Sequence, residues 1–234
     1  MSVNVILLDI EGTTTPIDFV HKVLFPFAKS RIEGFVRDNF DSLAKDIEQL
    51  KAERSGDLSF AAEFVETSPE SIANYLRHLI DVDRKSTPLK SIQGRIWRAG
   101  YEADQLKSQI FDDVPQAFEK WKSAGKTIAI YSSGSVLAQK NLFKYTEAGD
   151  LTPFISHYFD TNIGGKRETA SYERIAAELS FPPDEILFVS DIPQELDTAS
   201  EAGLETALSV REGNQLVENR GRYKVVELLT DLEA

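Results

Sequence analysis

The 234-residue sequence contains no cysteine, which excludes disulfide bonds, thiolate catalysis and zinc bound through sulfur. Long apolar runs are also missing, since no stretch approaches the roughly 18 apolar residues of a membrane-spanning helix. The apolar run from Val3 to Leu8 ends at Asp9 and Glu11. It is too short for the apolar part of a signal peptide and has no basic flank. We therefore expect a cytoplasmic protein.

Positive charge is scarce, with 26 lysines and arginines against 38 acidic residues and a net charge of −12. Such a surface repels nucleic acid and anionic membranes, so neither is expected as a partner. An anionic substrate must instead meet a locally positive site, built from a metal ion, a lysine or backbone N–H groups. The length suits one large domain, or a core domain that carries a smaller insertion.

Short buried strands alternate with helices near the start of the chain and again from residue 113 onward. The run from Val3 to Leu8 has almost no polar alternation, which is typical of a strand buried on both faces in a parallel sheet. Further strands are predicted at Thr127–Tyr131 and Ile186–Val189, with a last strand at Thr206–Val210. Helices are predicted between them, so the pattern indicates an α/β fold with helices on both faces of a parallel sheet.

The intervening residues look helical throughout. The sequence Thr67-Ser68-Pro69-Glu70 has a capping hydroxyl, an early proline and a glutamate at the reciprocal position of a helix start. Apolar residues then follow at helical spacing. A stretch of about 95 residues far exceeds what a crossover between parallel strands needs. We therefore predict a core domain formed by residues 1–16 and 113–234, and a helical domain inserted at residues 17–112.

Polar side chains follow three of the predicted strands. Asp9 and Glu11 come after the first strand, Ser132 and Ser133 after the second, and Asp191 after the strand that ends at Val189. In open α/β sheets, ligands bind beyond the carboxyl ends of the strands. The three groups are therefore expected to converge.

Carboxylates at such an edge favour phosphoryl transfer assisted by a divalent metal ion, because carboxylate and carbonyl oxygens suit Mg²⁺. Asp9 is the candidate nucleophile, and an aspartyl phosphate would divide one difficult displacement into two easier steps. Glu11 lies two residues further on and faces the same side in an extended segment. It can protonate the leaving oxygen and then activate water. Asp191 would complete the metal site.

Ser132 and Ser133 precede a predicted helix, where hydroxyls and free backbone N–H groups suit a phosphate. Lys166 follows a glycine-rich loop and is the candidate that neutralises charge on the transferring phosphoryl group. Each residue alone has a simpler explanation: Asp9 as a turn former, Ser133 and Asp191 as helix N-caps, and Lys166 as a solvated side chain. The prediction therefore depends on their combination, in order, at successive strand ends.

These residues, in this order, resemble the haloacid dehalogenase superfamily. Its members carry an Asp-x-(Asp/Glu)-Gly-Thr loop, a strand that ends in Ser, a lysine, and a strand that ends in Asp. The enolase-phosphatases (acireductone synthases) of methionine salvage are more similar still, because their loop has Glu at the third position, as in Asp9-Ile10-Glu11-Gly12-Thr13. Further motifs similar to that family lie along the whole chain: Gln93–Trp97 with Gly100-Tyr101, Ile130–Val136, Ala138-Gln139-Lys140, Tyr158-Phe159-Asp160, and Arg211 with Gly213-Asn214.

The resemblance implies a Rossmann-like, doubly wound core with an α-helical cap domain. It also implies a two-step reaction on 2,3-diketo-5-methylthiopentyl-1-phosphate, in which the diketone is enolised and the phosphate is then removed to give the acireductone. One Mg²⁺ per chain is implied, held by Asp9, the backbone carbonyl of Glu11, and Asp191. The implied phosphate-binding residues are Ser132, Ser133 and Lys166, and Glu11 is the implied acid and base.

The chain departs from the wider superfamily at one position. The superfamily often has two acidic residues close together at its last motif, whereas Glu195 lies four residues after Asp191. If the helix has already begun there, Glu195 can only support the metal site from behind. The number of protein ligands to the metal is therefore left open. The predicted location of the site is unaffected.

Other functions compete with this interpretation. A capped phosphatase of another small phosphate metabolite would lack the enolase step. A phosphonatase would need a cap lysine in a context suited to Schiff-base chemistry, and none is evident. A non-enzymatic, receiver-type module would also use Asp, Mg²⁺ and Lys, but it would not need a long insertion after Asp9. A degenerate relative that only binds phosphates would not keep the full set of motif residues. The expected partner is a small-molecule phosphate substrate, and the protein is expected to be a monomer.

Overall fold

The computed structural model describes residues 3–218 and 220–233. The chain forms two compact units, one made of the residues up to Val20 together with those from Lys107 onward, and one made of His21–Leu106. None of the helices in the described ranges is long and apolar enough to cross a membrane.

The first unit, called the core unit here, contains a single six-stranded sheet with the order β3-β2-β1-β4-β5-β6. Every neighbouring pair is parallel, and β1 lies between β2 and β4. The predicted α/β fold with a parallel sheet is thus confirmed. The strands are β1 (Val5–Leu8), β2 (Thr127–Tyr131), β3 (Ile155–Phe159), β4 (Ile186–Ser190), β5 (Glu205–Ser209) and β6 (Lys224–Val226).

The helices fall into two groups along the chain. Among the described residues, four α-helices belong to the second unit, namely α1 (Phe25–Asn39), α2 (Ala44–Ser55), α3 (Pro69–Asp81) and α4 (Thr87–Glu102). Four belong to the core unit, namely α5 (Val114–Ser123), α6 (Val136–Lys144), α7 (Thr169–Leu179) and α8 (Pro193–Glu201). Short helical turns connect these elements: a π-helical segment at Phe19–Leu24 and 3₁₀ turns at Phe40–Leu43, Thr152–Phe154, Pro183–Glu185, Arg220–Arg222 and Leu229–Asp231.

Strand β1 shows why its sequence lacks polar alternation. Ile6 and Leu8 face one apolar cluster, which includes Phe118 of α5. Val5 and Leu7 face the other cluster, on the opposite side of the sheet. Because successive side chains of a strand point to opposite faces, a strand covered on both sides must be apolar at every position.

Two strands of the sheet were not predicted. The expectation that Thr206–Val210 is the last strand is wrong, because β6 follows it at the edge of the sheet. β6 has only three residues, two of them exposed. β3, at the opposite edge, has the exposed Ser156 and the half-buried His157 between its buried ends. Edge strands need no continuous apolar run, so their sequence signal is weak.

The second unit, called the helical unit here, starts α3 as the sequence suggested but with a different cap. Ser68 is the N-cap, and its Oγ accepts a hydrogen bond from the N–H of Ser71 at 3.2 Å. Glu70 is therefore the second helical residue instead of the third, and the predicted reciprocal position of Glu70 is wrong. Inside this unit, Trp97 of α4 donates its indole N–H to the Leu24 carbonyl at 2.8 Å.

The two units divide the chain a few residues inside the predicted insertion of 17–112. On the C-terminal side, the N–H of Ser108 donates to the Tyr145 carbonyl at 2.9 Å. The N–H of Phe111 donates to the Thr14 carbonyl at 3.0 Å. These backbone hydrogen bonds attach residues 107–112 to the core unit.

Candidate active site

Three polar strand ends meet at one edge of the sheet. Leu8 of β1 is level with Ile130 of β2 and with Val189 of β4, so the three adjacent strands end side by side. The N–H of Asp9 continues this ladder by donating to the Val189 carbonyl at 3.0 Å. Asp191 follows the end of β4 and Ser132 the end of β2, which is the arrangement that the order of motifs predicted.

The carboxylate of Asp9 is buried and held by three donors. Its Oδ1 lies 2.5 Å from Nζ of Lys166 and accepts the N–H of Ile10 at 2.7 Å. Its Oδ2 lies 3.2 Å from the hydroxyl oxygen of Ser190, whose single proton it shares with Glu195. Donors on both oxygens fix the orientation of the side chain, as a nucleophile that must approach phosphorus in line requires.

Lys166 joins two carboxylates. Besides Asp9, its Nζ contacts Oε2 of Glu195 at 3.1 Å, and the Ser190 hydroxyl donates to that same oxygen at 3.0 Å. Burial lowers the pKa of Lys166, but the negative charges of Asp9 and Glu195 raise it by more, so it lies above its ordinary value. The lysine is therefore charged at physiological pH.

The loop before α7 is built to hold Lys166 in place. Each of three successive carbonyl groups in it accepts a hydrogen bond from a buried or partly buried hydroxyl of β2 or α7. The pairs are Tyr131 with Gly164 at 2.9 Å, Ser171 with Gly165 at 2.8 Å, and Tyr172 with Lys166 at 2.8 Å. These hydrogen bonds thus fix the backbone of the glycine-rich segment at Lys166. Its ammonium group therefore has few other positions available and is held near the carboxylates.

Asp191 is in a different electrostatic position from Asp9. It is buried, and in the described part of the chain it has no ion pair. Burial and the negative charge of Asp9 raise the pKa of Asp191 to about 7, against the opposing effect of Lys166. The site therefore contains two carboxylates that share one lysine and a third, Asp191, that has no ion pair within the described residues.

Gly12 allows the loop after β1 to pass close to Asp191. Its φ of +67° is in the left-handed region, and a Cβ there would lie 2.5 Å from Oδ2 of Asp191. Any other residue at this position would be strained and would displace the carboxylate. The glycine of the motif is thus required by the close approach of two strand ends.

The remaining predicted residues lie at the same edge. Glu11 is half-buried in the loop, where its backbone pairs with Thr15. Oγ of Ser132 accepts the N–H of Gly134 at 3.2 Å. Ser133 is not the N-cap of α6, because Ser135 accepts the N–H of Ala138 at 3.3 Å and takes that role.

Asp191 does not cap a helix either. The N-cap of α8 is Ile192, which forms no side-chain cap hydrogen bond. The simpler explanations as helix caps therefore fail for both Asp191 and Ser133.

Sequence reasoning assigned no role to two residues that hold the site together. Ser190 links Asp9 to Glu195, and its only sequence signal is a hydroxyl directly before Asp191. Arg211 is buried, and its Nε and Nη2 donate to the Thr13 carbonyl at 3.3 Å and 3.2 Å. These contacts join residues almost 200 positions apart, which no local pattern indicates.

The site can neutralise and orient an anion. Lys166 supplies a buried positive charge, and Asp9 supplies a fixed carboxylate oxygen next to it. No three His, Cys, Asp or Glu side chains within residues 3–218 and 220–233 are grouped as a metal site. A cation here would therefore have to use two carboxylates, with backbone or water oxygens as its further ligands.

The comparisons with known proteins agree with this geometry. A model of the haloacid dehalogenase-like hydrolase family matches residues 3–203. The chain is 50% identical to "Enolase-phosphatase E1" of Leptospira borgpetersenii, over 92% of each chain. It is 51% identical to "Enolase-phosphatase E1" of Synechococcus elongatus, over 93% of each. The crystal structure of the UTR4 protein from Saccharomyces cerevisiae superimposes with a TM-score of 0.81 at 34% identity, covering 99% of this chain and 100% of that one.

Proposed function

The chain belongs to the enolase-phosphatases of the haloacid dehalogenase-like hydrolases, and on this basis we propose that it converts a diketone phosphate to an acireductone in methionine salvage. The substrate is 2,3-diketo-5-methylthiopentyl-1-phosphate, which is enolised and then dephosphorylated. The observation that carries the proposal is the 2.5 Å contact between Asp9 and Lys166 at a strand end, with a second carboxylate, Asp191, beside it.

Asp9 is the nucleophile. One of its carboxylate oxygens forms a bond to phosphorus while the bond from phosphorus to the substrate oxygen breaks. Glu11 gives its proton to the leaving oxygen and then takes a proton from water, which attacks the aspartyl phosphate. Inorganic phosphate leaves, and both carboxylates return to their starting state. Lys166 neutralises charge on the phosphoryl oxygens in both steps.

Ser132 and Ser133 bind the phosphoryl group from the end of β2. The Ser132 oxygen is already fixed by the N–H of Gly134, so its own hydroxyl proton is available to donate. The overall charge of −12 makes this local arrangement necessary, because the rest of the surface repels an anion. The substrate is a small phosphate, and the protein acts as a monomer without nucleic-acid or membrane partners.

The residues fit one Mg²⁺ per chain. Asp191 is a buried carboxylate whose pKa is raised by burial and by Asp9, so a divalent cation between the two would remove an unfavourable interaction. Asp9, Asp191 and the backbone carbonyl of Glu11 would hold it, which supplies only oxygen ligands, as Mg²⁺ prefers. When bound, it supplies Lewis-acid stabilisation of the enolate and of the phosphoryl transfer.

The test uses the diketone phosphate with the purified full chain. Absorbance of the enol and release of inorganic phosphate are followed in parallel, with Mg²⁺ or with EDTA. We expect the enol signal to precede phosphate release, and both to be lost in EDTA.

A saturated phosphate ester without the dicarbonyl group serves as the control substrate. Phosphate release from both esters at similar rates, without an enol phase, would instead identify a phosphatase of other small metabolites. Stoichiometric phosphorylation of Asp9 without turnover would identify a phosphoryl-accepting module.

A further inference from the structure

The segment that follows β5 reaches back to the loop of the nucleophile. The hydroxyl of Ser209 donates to the Gly12 carbonyl at 3.0 Å. Nδ2 of Asn214 donates to the same carbonyl at 2.9 Å and to the Ser209 carbonyl at 3.3 Å. Two side chains from the C-terminal part of the core unit thus hold the Gly12 carbonyl group, which directly follows Glu11 in the loop.

These contacts determine which way the amide of Asn214 points. Its nitrogen faces two carbonyl oxygens, and a flipped amide would place an oxygen against both of them. Oδ1 of Asn214 must therefore face the opposite side. That oxygen is buried, and no protein group in the described ranges donates a hydrogen bond to it.

Oδ1 of Asn214 lies on the same side of Gly12 as the carboxylate of Asp191. A Cβ on Gly12 would be 2.8 Å from Oδ1 of Asn214 and 2.5 Å from Oδ2 of Asp191. Two hydrogen-bond acceptors thus approach the same small space at the proposed cation site. A buried acceptor is costly unless a donor reaches it, and a cation-bound water is a donor that two such oxygens can share.

We infer that Asn214 is a positioning residue of the phosphoryl-transfer site, one that orients a water ligand of the cation through Oδ1 while its Nδ2 fixes the Gly12 carbonyl. This inference rests on the function proposed above. Asn214 contacts neither Asp9 nor Lys166 in the described structure, so its role is exerted through the water and the loop. Groups that orient the ligands of a metal in this way commonly change its affinity strongly when they are replaced.

Two substitutions separate the two halves of this role. Asn214→Leu has nearly the same shape but removes both the acceptor and the donor. Asn214→Asp replaces the donor to Gly12 by an oxygen, keeps an oxygen next to Asp191 and adds a negative charge. Ser209→Ala is the matched control, since it loses one hydrogen bond to the Gly12 carbonyl and leaves Oδ1 of Asn214 in place.

The measurement is the dissociation constant of Mg²⁺, obtained by titration calorimetry on the full chain, with unfolding in EDTA as a separate check of folding. We expect Asn214→Leu to weaken Mg²⁺ binding by about 10-fold or more. Asn214→Asp should not weaken Mg²⁺ binding, because the acceptor stays and the added negative charge attracts the cation. Ser209→Ala should stay within about threefold of the wild type, a change near the size of one weak hydrogen bond. If Asn214→Leu does not fold, Asn214→Ala carries the same expectation.

Three results would overturn the inference. Unchanged Mg²⁺ affinity in Asn214→Leu would show that Oδ1 has no such role. Equal losses in Asn214→Leu and Asn214→Asp, or an equal loss in Ser209→Ala, would reduce Asn214 to a support for the loop. None of these results affects the proposed function if the wild type binds Mg²⁺ and turns over the diketone phosphate. Failure of the wild type to bind Mg²⁺ would overturn both the inference on Asn214 and the proposed function.

Discussion

The core unit and the helical unit each contain a buried carboxylate centre, and the two are built in opposite ways. In the helical unit, Asp57 accepts the N–H and hydroxyl of Ser59 at 2.9 Å and 2.6 Å and pairs with Arg84 at 3.2 Å. Hydrogen bonds from Ser59 hold the pKa of Asp57 below its ordinary value, against the effect of burial. This carboxylate is fully provided with donors.

In the core unit, burial and the neighbouring Asp9 instead raise the pKa of Asp191 to about 7. A carboxylate that is satisfied by the protein stabilises the fold, whereas one that is left short of positive charge favours a ligand that supplies it. We infer from this difference that the Asp57 cluster is structural and that the Asp191 cluster is functional. The predictions below test that difference.

The largest expected effect is the loss of turnover in Asp9→Asn. An amide of the same shape cannot form the aspartyl phosphate, so kcat should fall by roughly 10⁴-fold or more. Asp57→Asn serves as the control and should retain kcat at temperatures where it is folded. Near-normal phosphate release by Asp9→Asn would refute Asp9 as the nucleophile.

Lys166→Met should reduce both activity and stability. Loss of the charge that faces the phosphoryl group should lower kcat by roughly 10²- to 10³-fold. Since Asp9 and Glu195 would lose their buried partner, the free energy of unfolding should fall by about 3–5 kcal/mol.

The control for Lys166→Met is Lys51→Met. Lys51 pairs with Glu66 at an exposed position and should cost less than about 1 kcal/mol. Equal stability of Lys166→Met and Lys51→Met, measured by urea unfolding, would contradict the buried pairing.

Removing one charge from each centre should have effects of opposite sign on stability. In EDTA, Asp191→Asn should raise the free energy of unfolding by about 1–3 kcal/mol, because a carboxylate with a raised pKa is disfavoured in the folded state. Asp57→Asn should lower it, because the negative charge that pairs with Arg84 and accepts the hydrogen bonds of Ser59 would be lost.

The pH dependence of this stabilisation follows from the sign of the pKa shift. The folded pKa of Asp191 is about 7 and its ordinary value is 3.8, so the folded state binds the proton more tightly. The unfavourable contribution of the charged form is complete above pH 7 and absent below about pH 4. The advantage of Asp191→Asn over the wild type should therefore grow between these pH values. An advantage that shrinks as the pH rises would contradict the assigned shift.

The sequence predicted the strand ends of the site better than the contacts behind them. Asp9, Ser132 and Asp191 follow the buried strands β1, β2 and β4, whose continuous apolar runs are strong signals. Ser190 carried no such signal, because its role depends on two carboxylates that meet it from other elements. The edge strands β3 and β6 were missed for a related reason, since partial exposure weakens their pattern.

The side-chain roles that depend on long-range contacts were beyond prediction. The hydrogen bond between Asn214 and Gly12 joins residues whose spacing has no periodic relation. The chemical roles of all the predicted site residues, the bounds of the inserted domain and the monomeric state remain predictions. The family motifs were enough to predict where the site lies, whereas the contacts that support it could be found only in the folded structure.

The smallest expected effect belongs to Glu195→Gln, which tests whether this side chain is a metal ligand. Glutamine keeps a carbonyl oxygen that accepts from Lys166 and Ser190 but removes one negative charge. We expect kcat to fall by about tenfold, the lower end of what replacing a supporting residue costs. Mg²⁺ affinity, measured by calorimetry, should change much less than in Asp191→Asn.

The physical reason is that Oε2 of Glu195 already contacts both Lys166 and the hydroxyl of Ser190, which fits a supporting residue that positions these two groups. Ser190→Ala is the matched comparison, because it removes a hydrogen bond to the same oxygen and keeps the charge. If Glu195→Gln loses Mg²⁺ as completely as Asp191→Asn, Glu195 is a ligand. The comparison would then be between Asp57 in the helical unit, which receives hydrogen bonds from protein donors, and three carboxylates in the core unit that share a cation.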